Sequence, residues 1–391
     1  MDTAEVIVIG AGAAGLSTAA ELGRRGIGAT VLDGADALGS AWRGRYDRLR
    51  LNSSRWFSGL PGGRFGRGNA VFPSRDDMVE HLERYAERHR LDVRLGVRVE
   101  RIDATEHGWA LRTSSGDAAA RQVVVATGFD ATPYVPAWPG RDEFQGNLDH
   151  AAAYRNPERY VGSDVLVVGA GCSAMEIAYD LVDGGARRVR LAVRTPPNLL
   201  LRSPIGPGIA IALRRLPTRT ADAIASKGRR KMFGDLTEFG LPEPEEGVFS
   251  RLERLGVAPA IVDMETIEAI RDGRIEVVAG VERLDATGVR LADGERIEPD
   301  AIIAATGYRA ALEPLVGHLG ILDARGLPRA LAADEAAAGL RFVGFLHLPA
   351  HLRYMGIEAS RAAKAIARQQ RAARTRRPWA AGRARPAGAR A

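Results

Sequence analysis

Four stretches of the chain are apolar without interruption, and each ends in small residues. Val6–Ile9 runs into Gly10, Gly12 and Gly15, and Val165–Val168 runs into Gly169, Gly171 and Ala174. RQVVVATGF (Arg121–Phe129) and DAIIAATGY (Asp300–Tyr308) both close in Ala-Thr-Gly-aromatic. An unbroken apolar run of this length predicts a strand buried on both faces, as in a parallel sheet. After each glycine turn the pattern becomes amphipathic, which predicts helices to about Arg25 and Asp183. The reading is an α/β fold with two Rossmann-like dinucleotide-binding domains, the second inserted in the first. The Ala-Thr-Gly segments mark the hand-overs. The first domain covers 1–154 and 307–367, the second 155–306. LRFVGFLHLPAHLRYMGIEASRAAKAIAR supplies a returning strand and a helix over the first cofactor.

The spacing gives each small residue a task. Gly10 permits a tight turn, Gly12 admits backbone N–H groups to a pyrophosphate, and Gly15 lets the helix pack on the strand. The next strand, ATVLD, ends in Asp33, eighteen residues after Gly15. Its carboxylate can accept from ribose hydroxyls. Gly169, Gly171 and Ala174 repeat the turn as GxGxxA, with Ser173 inside it. The strand after it, RVRLAV, ends in Arg194 instead of an acid. An arginine there is a forked donor for a 2′-phosphate, or else a solvated strand-end charge. The first turn is expected to hold a dinucleotide without a 2′-phosphate and the second NADP. Together they imply a flavoprotein that takes hydride from NADPH.

Composition narrows the classes. The 391 residues are 46% apolar and 26% charged, enough for packed cores in two domains. One cysteine, Cys172, excludes an intramolecular disulfide and a redox dithiol, and no Cys/His cluster suggests a metal. A reduced cytoplasmic compartment is expected. The net charge of +7 comes from the C-terminus: 368–391 holds eight arginines and no acid, which leaves −1 for the rest. Such an Arg/Ala/Pro/Gly tail is expected to be disordered, and specific nucleic-acid binding is not. No signal peptide or spanning helix is expected.

Between the two turns, Phe144-x-Gly146-x3-His150-x3-Tyr154 resembles the identifying motif FxGxxxHxxx(Y/F) of the class B flavin-containing monooxygenases. SAWRGRYDRLRL (Ser40–Leu51) and RDDMVEHLERYAERH are similar to segments of the YUCCA-type enzymes and their bacterial relatives. The resemblance implies FAD and NADPH as cofactors and a motif that links the domains. His150 and Tyr154 are then supports, not acid–base catalysts; His150 read alone is a satisfied loop histidine. NSSRW (Asn52–Trp56) resembles the Asn-Ser-Ser segment of the microsomal-type relatives. There the asparagine lies near the reactive edge of the flavin, whereas YUCCA-type enzymes typically carry His. Asn52 is thus the catalytic candidate, and a turn-capping Asn is the other reading. Trp42, Gly128, Gly307 and Met355 are further cofactor-facing candidates.

The resemblance implies that reduced flavin captures O2 as a C4a-(hydro)peroxide and passes one oxygen to a small, largely apolar organic substrate. That substrate is an amine or sulfur compound, or a 2-oxo acid that is oxidatively decarboxylated. The absence of GxSxG and HExxH motifs agrees, since the cofactor carries the chemistry. The alternatives are an NADPH oxidase or flavin reductase that releases H2O2, and a non-enzymatic redox sensor. Asn198–Phe249 interrupts the second domain. It reads as a substrate tunnel or lid touching a membrane surface, or as a helical excursion packed on its own domain. Arg202, early in it, is a candidate second ligand for the 2′-phosphate.

Overall fold

The computed structural model describes residues 2–346 and 348–376. Its first sheet runs Asp92–Arg94, Thr30–Leu32, Asp2–Ile9, Ala118–Val125, Gly108–Thr113, Val99–Thr105. The strand Ala118–Val125 takes three partners. It lies parallel to Asp2–Ile9 along its length. Its first half pairs antiparallel with Gly108–Thr113, and its second half pairs parallel with Leu340–Phe342. The last strand thus fills the slot where the hairpin turns away.

Alternation explains the unbroken apolar runs. Val6, Val8 and Val124 enter the cluster under the helices Ala13–Gly23 and His351–Arg376. Ile7, Ile9, Val123 and Val125 point to the opposite face, against Trp109, Leu111 and Phe342. Both faces are covered, so Val6–Ile9 and Val123–Val125 carry no polar position. Ala359, Ala362 and Ala363 are fully buried in the same cluster as Ala13 and Ala20, and such small side chains let the two helices pack closely.

The second sheet is wholly parallel: Ile275–Ala279, Arg188–Val193, Asp164–Val168, Ala301–Ala304, Asn147–His150. Val165 and Val167 face the helices Cys172–Asp183 and Met264–Arg271. Leu166 and Val168 face a small antiparallel sheet at Val281–Leu284, Val289–Leu291 and Arg296–Ile297. The chain crosses between the sheets twice. The crossings pair antiparallel, Thr132–Pro133 with Tyr308–Arg309.

Two boundaries differ from the sequence reading. Asn147–His150 is an edge strand of the second sheet, and Trp138 and Phe144 pack on that sheet's core. The hand-over therefore precedes residue 154 and falls at the first crossing. The C-terminal helix runs to Arg376, past the expected tail start at 368. Gln369 anchors it, because the nearly buried Arg341 donates to the Gln369 Oε1 at 2.8 Å and to the Gln122 Oε1 at 2.8 Å. The remainder of the expected tail, 377–391, lies outside the described residues. Among the described residues no helix is long and apolar enough to cross a membrane.

Candidate functional site

The two glycine turns are built alike. Gly10 has φ +104°, and a Cβ there would lie 2.7 Å from the Ala126 carbonyl oxygen. Gly169 has φ +128°, and its Cβ would lie 2.5 Å from the Ala305 carbonyl oxygen. Each first glycine is therefore required by the adjoining strand end. A Cβ on Gly15 would sit 1.8 Å from the Gly10 carbonyl oxygen. At the corresponding place in the second turn the Ala174 methyl is fully buried.

Gly12 and Gly171 behave differently. A Cβ on either would meet no protein atom within 4 Å. The same holds for Gly128 (φ +76°) and Gly307 (φ +87°), the glycines of the two Ala-Thr-Gly segments. Gly12 and Gly171 precede helices that begin without a side-chain cap, so the first-turn N–H groups are left for a ligand. Open glycines facing bare helix N-termini fit the pyrophosphates of FAD and NADPH.

Beside the first turn, Asp33 accepts from the Ala11 N–H at 2.6 Å and the Ala35 N–H at 2.9 Å. These bonds orient the carboxylate and leave lone pairs for a ribose diol. Arg194 stands exposed just past Arg188–Val193. Gly280 makes room for it, since a Cβ there would lie 2.9 Å from the Arg194 Cβ. Trp42 and Met355 are partly buried against the cluster that holds Ala11, Ala13 and Ala14 of the first turn.

Asn52 follows Leu51, which is buried in the first domain's core, and reaches the second cradle. Its Nδ2 donates to the Cys172 Sγ at 3.4 Å, and Cys172 opens the helix after the second turn. The sulfur also accepts from the Ile261 N–H at 3.2 Å. Its enclosure pushes the thiol pKa up, so it remains a neutral thiol.

The segment before Asn52 is bolted to the second domain, which the sequence reading missed. Tyr46 is buried in the second domain's core, and its hydroxyl donates to the Glu176 carboxylate. Burial pushes the Tyr46 phenol up, keeping it a donor, and Ser173 also interacts with it. Arg48 pairs with Asp183 at 3.0 Å and lies over the Tyr179 ring at 4.6 Å.

Arg202 completes this bolt and corrects an expectation. It donates to the Asp263 carboxylate at 2.9 Å, to the Arg50 and Leu51 carbonyls at 2.9 and 3.1 Å, and to Glu176. With its side chain 3% exposed and four of its five N–H groups given to protein acceptors, it is a structural clamp and not a ready 2′-phosphate ligand. A cleft of about 410 Å³ lies beside it, lined by Arg48, Arg50, Phe72, Glu176, Arg202 and Asp263.

The motif residues fall into place one by one. A Cβ on Gly146 would lie 2.5 Å from the Phe144 ring, so the glycine is the seat of that ring. His150 Nδ1 accepts from the Ala152 N–H at 3.0 Å, which leaves Nε2–H to donate to the Gly307 carbonyl at 2.9 Å. Burial holds its pKa below the usual histidine value, consistent with a neutral ring. Tyr308 meets it edge-on at 5.0 Å. Tyr154 is 1% exposed, stacks on Tyr160 at 5.8 Å and donates to the Asp180 carboxylate at 2.8 Å. It is a core residue of the second domain.

Residues 7–203 match the family model described as pyridine nucleotide-disulphide oxidoreductase. The indole-3-pyruvate monooxygenase YUCCA1 of Oryza sativa subsp. japonica is 38% identical over 327 residues, 82% of this chain and 80% of that one. The probable indole-3-pyruvate monooxygenase YUCCA8 of Arabidopsis thaliana is 32% identical over 357 residues, 87% of this chain and 83% of that one. The flavin-containing monooxygenase of Stenotrophomonas maltophilia superposes with a TM-score of 0.73 at 23% identity, over 95% of this chain and all of that one. At that identity the likeness speaks to the fold alone.

Proposed function

The chain belongs to the flavin-containing monooxygenase family, and from that premise we propose how its two cradles and Asn52 divide the work. The enzyme is an FAD-dependent monooxygenase that uses NADPH. In this reading FAD lies on the Gly10–Gly15 turn with its ribose diol on Asp33. NADPH lies on the Gly169–Ala174 turn with its 2′-phosphate on Arg194. When bound, the flavin supplies the activation of O2 and NADPH the hydride that reduces it.

The substrate we favour is a 2-oxo acid with an apolar side chain. One observation carries this choice: the 38% identity, across 82% of the chain, to a protein named for indole-3-pyruvate. The bond between C1 and C2 breaks and CO2 leaves. C2 gains one oxygen of O2 and becomes the new carboxyl carbon. The other oxygen leaves as water with two protons and the two electrons of NADPH.

The protein's part is positional. Asn52 spends one N–H on Cys172 and keeps the other, with its carbonyl, for the reacting groups. The Tyr46–Glu176–Arg202 bolt holds the segment that ends in Asn52 against the second cradle. His150 stays a neutral donor to Gly307 and fixes the open glycine beside the second turn. A second reading rests on Asn52 itself, where YUCCA-type relatives typically carry His. It is oxygenation of an amine nitrogen or a thioether sulfur.

The test is product analysis under 18O2 with NADPH, supplying indole-3-pyruvate, a tertiary amine or a thioether. An acid one carbon shorter with a single 18O supports the 2-oxo acid, and a labelled N- or S-oxide supports the second reading. Stoichiometric H2O2 with every substrate would replace both by an NADPH oxidase.

A further inference from the structure

The excursion after Arg194 leaves apolar side chains in solvent on two successive helices. Gly206–Leu213 reads GPGIAIAL and has no buried residue. Ile205 is 65% exposed and Ile209 51%. Leu216 follows, and then Ile224 and Met232 on the helix Thr218–Phe233, all exposed. Leu213 packs on the small cluster of Ala221 and Phe249, which joins the two helices. Trp56, also exposed, lies in a segment that touches the first of these helices. The neighbouring Phe57 ring lies 3.1 Å from the Cβ position of Gly208, and the Ser54 hydroxyl donates to the Pro204 carbonyl at 2.8 Å.

The charge on this face has one sign. Ile205–Phe233 holds seven Lys and Arg residues and a single acid, Asp222. Asp222 is turned inward and accepts from the Phe249 and Ser250 N–H groups at 2.7 and 3.2 Å. Arg229 and Arg230 pair with Glu243 at 2.7 and 3.0 Å. Arg214, Arg215, Arg219, Lys227 and Lys231 are exposed and have no acidic partner among the described residues.

We propose that this face docks on an anionic lipid surface. Ile205, Ile209, Leu216 and Trp56 enter the boundary between headgroups and acyl chains. The five free cations meet the headgroups. Solvated isoleucines beside a cationic rim are costly in water and favourable at such a boundary. Charge complementarity selects an anionic bilayer over a neutral one. A second copy of the chain would bring like charges together.

The experiment is co-sedimentation of the full chain with phosphatidylcholine vesicles, with and without phosphatidylglycerol. Binding is expected only to the anionic vesicles and to weaken with salt. Ile205→Asp/Ile209→Asp and Arg214→Glu/Arg215→Glu are each expected to reduce partitioning about tenfold or more. Unchanged circular dichroism and flavin content show that each variant is folded. Quenching of tryptophan by brominated lipid is expected to fall in Trp56→Phe. Three results would each overturn the proposal: no binding to anionic vesicles, binding undiminished in both double variants, which would move it to the arginines of 368–391, or a wild-type dimer that both variants turn into monomers.

Discussion

The two cradles differ less in backbone than in what stands next to them. Gly10 and Gly169 adopt the same left-handed turn, each pressed against the end of a neighbouring strand. Gly12 and Gly171 both face open space. The divergence lies one strand on, where the first cradle has Asp33 fastened to the Ala11 N–H and the second has Arg194 exposed. In the proposed assignment the backbone turn holds a pyrophosphate, and the side chain at the end of the next strand selects the dinucleotide. A carboxylate would repel a 2′-phosphate that a guanidinium binds.

Breaking one cradle at a time gives the largest effects. Gly12→Val places a branched side chain where the pyrophosphate of FAD is expected to lie. The variant is expected to purify colourless, read as the flavin-to-protein absorbance ratio. Gly171→Val is expected to stay yellow and to lose reduction by NADPH. A fully flavinated Gly12→Val protein would remove the first assignment.

The bolt between the cradles comes next. Arg202→Ala leaves the Glu176 carboxylate buried without its ion partner. The expected loss of unfolding free energy is about 3–5 kcal/mol by denaturant titration. Glu176→Gln with Arg202→Met is expected to recover most of it. If Arg202→Ala were as stable as the wild type, Arg202 would not be the clamp described.

The two halves also differ toward acid. The segment 155–306 contains no histidine, whereas His81 in the first half is stacked on Phe65 at 4.2 Å with a buried Nε2 that lacks a partner. Burial, then the nearby Arg84 charge, push its pKa down to about 4. A depressed histidine is protonated more readily in the unfolded chain. Stability is therefore full above about pH 6.5 and falls as the pH drops toward 4, by roughly 3 kcal/mol from this group. His81→Phe is expected to flatten that part of the pH–stability curve. An unchanged curve would assign the acid sensitivity elsewhere.

The parts legible in the sequence were those written in short-range spacing. The glycine turns and Asp33 sit within a strand, a turn and a strand of each other, and each small residue has one steric reason to be small. The returning strand and the C-terminal helix were legible too. What could not be read depended on distant pairing. Arg202 lies eight residues past Arg194 in sequence, but the chain folds it back onto the Arg50 and Leu51 carbonyls. Tyr154 was legible only as a support in the linking motif, and the partners that bury it, Asp180 and Tyr160, were not. Residues 368–376 have a tail's composition, and Gln369 meeting Arg341 makes them helix. Tyr46, quoted in a motif, gave no local sign that it belongs to the other domain's core.

The most direct test of the contrast between the cradles is the affinity of the FAD-loaded protein for NADPH and for NADH, with and without Arg194→Ala. The expected result is a loss of about 1–3 kcal/mol for NADPH, roughly 5- to 150-fold in Kd, and almost none for NADH. Equal losses for both nucleotides would contradict the assignment of the 2′-phosphate to Arg194, and with it the account of what separates the two sites.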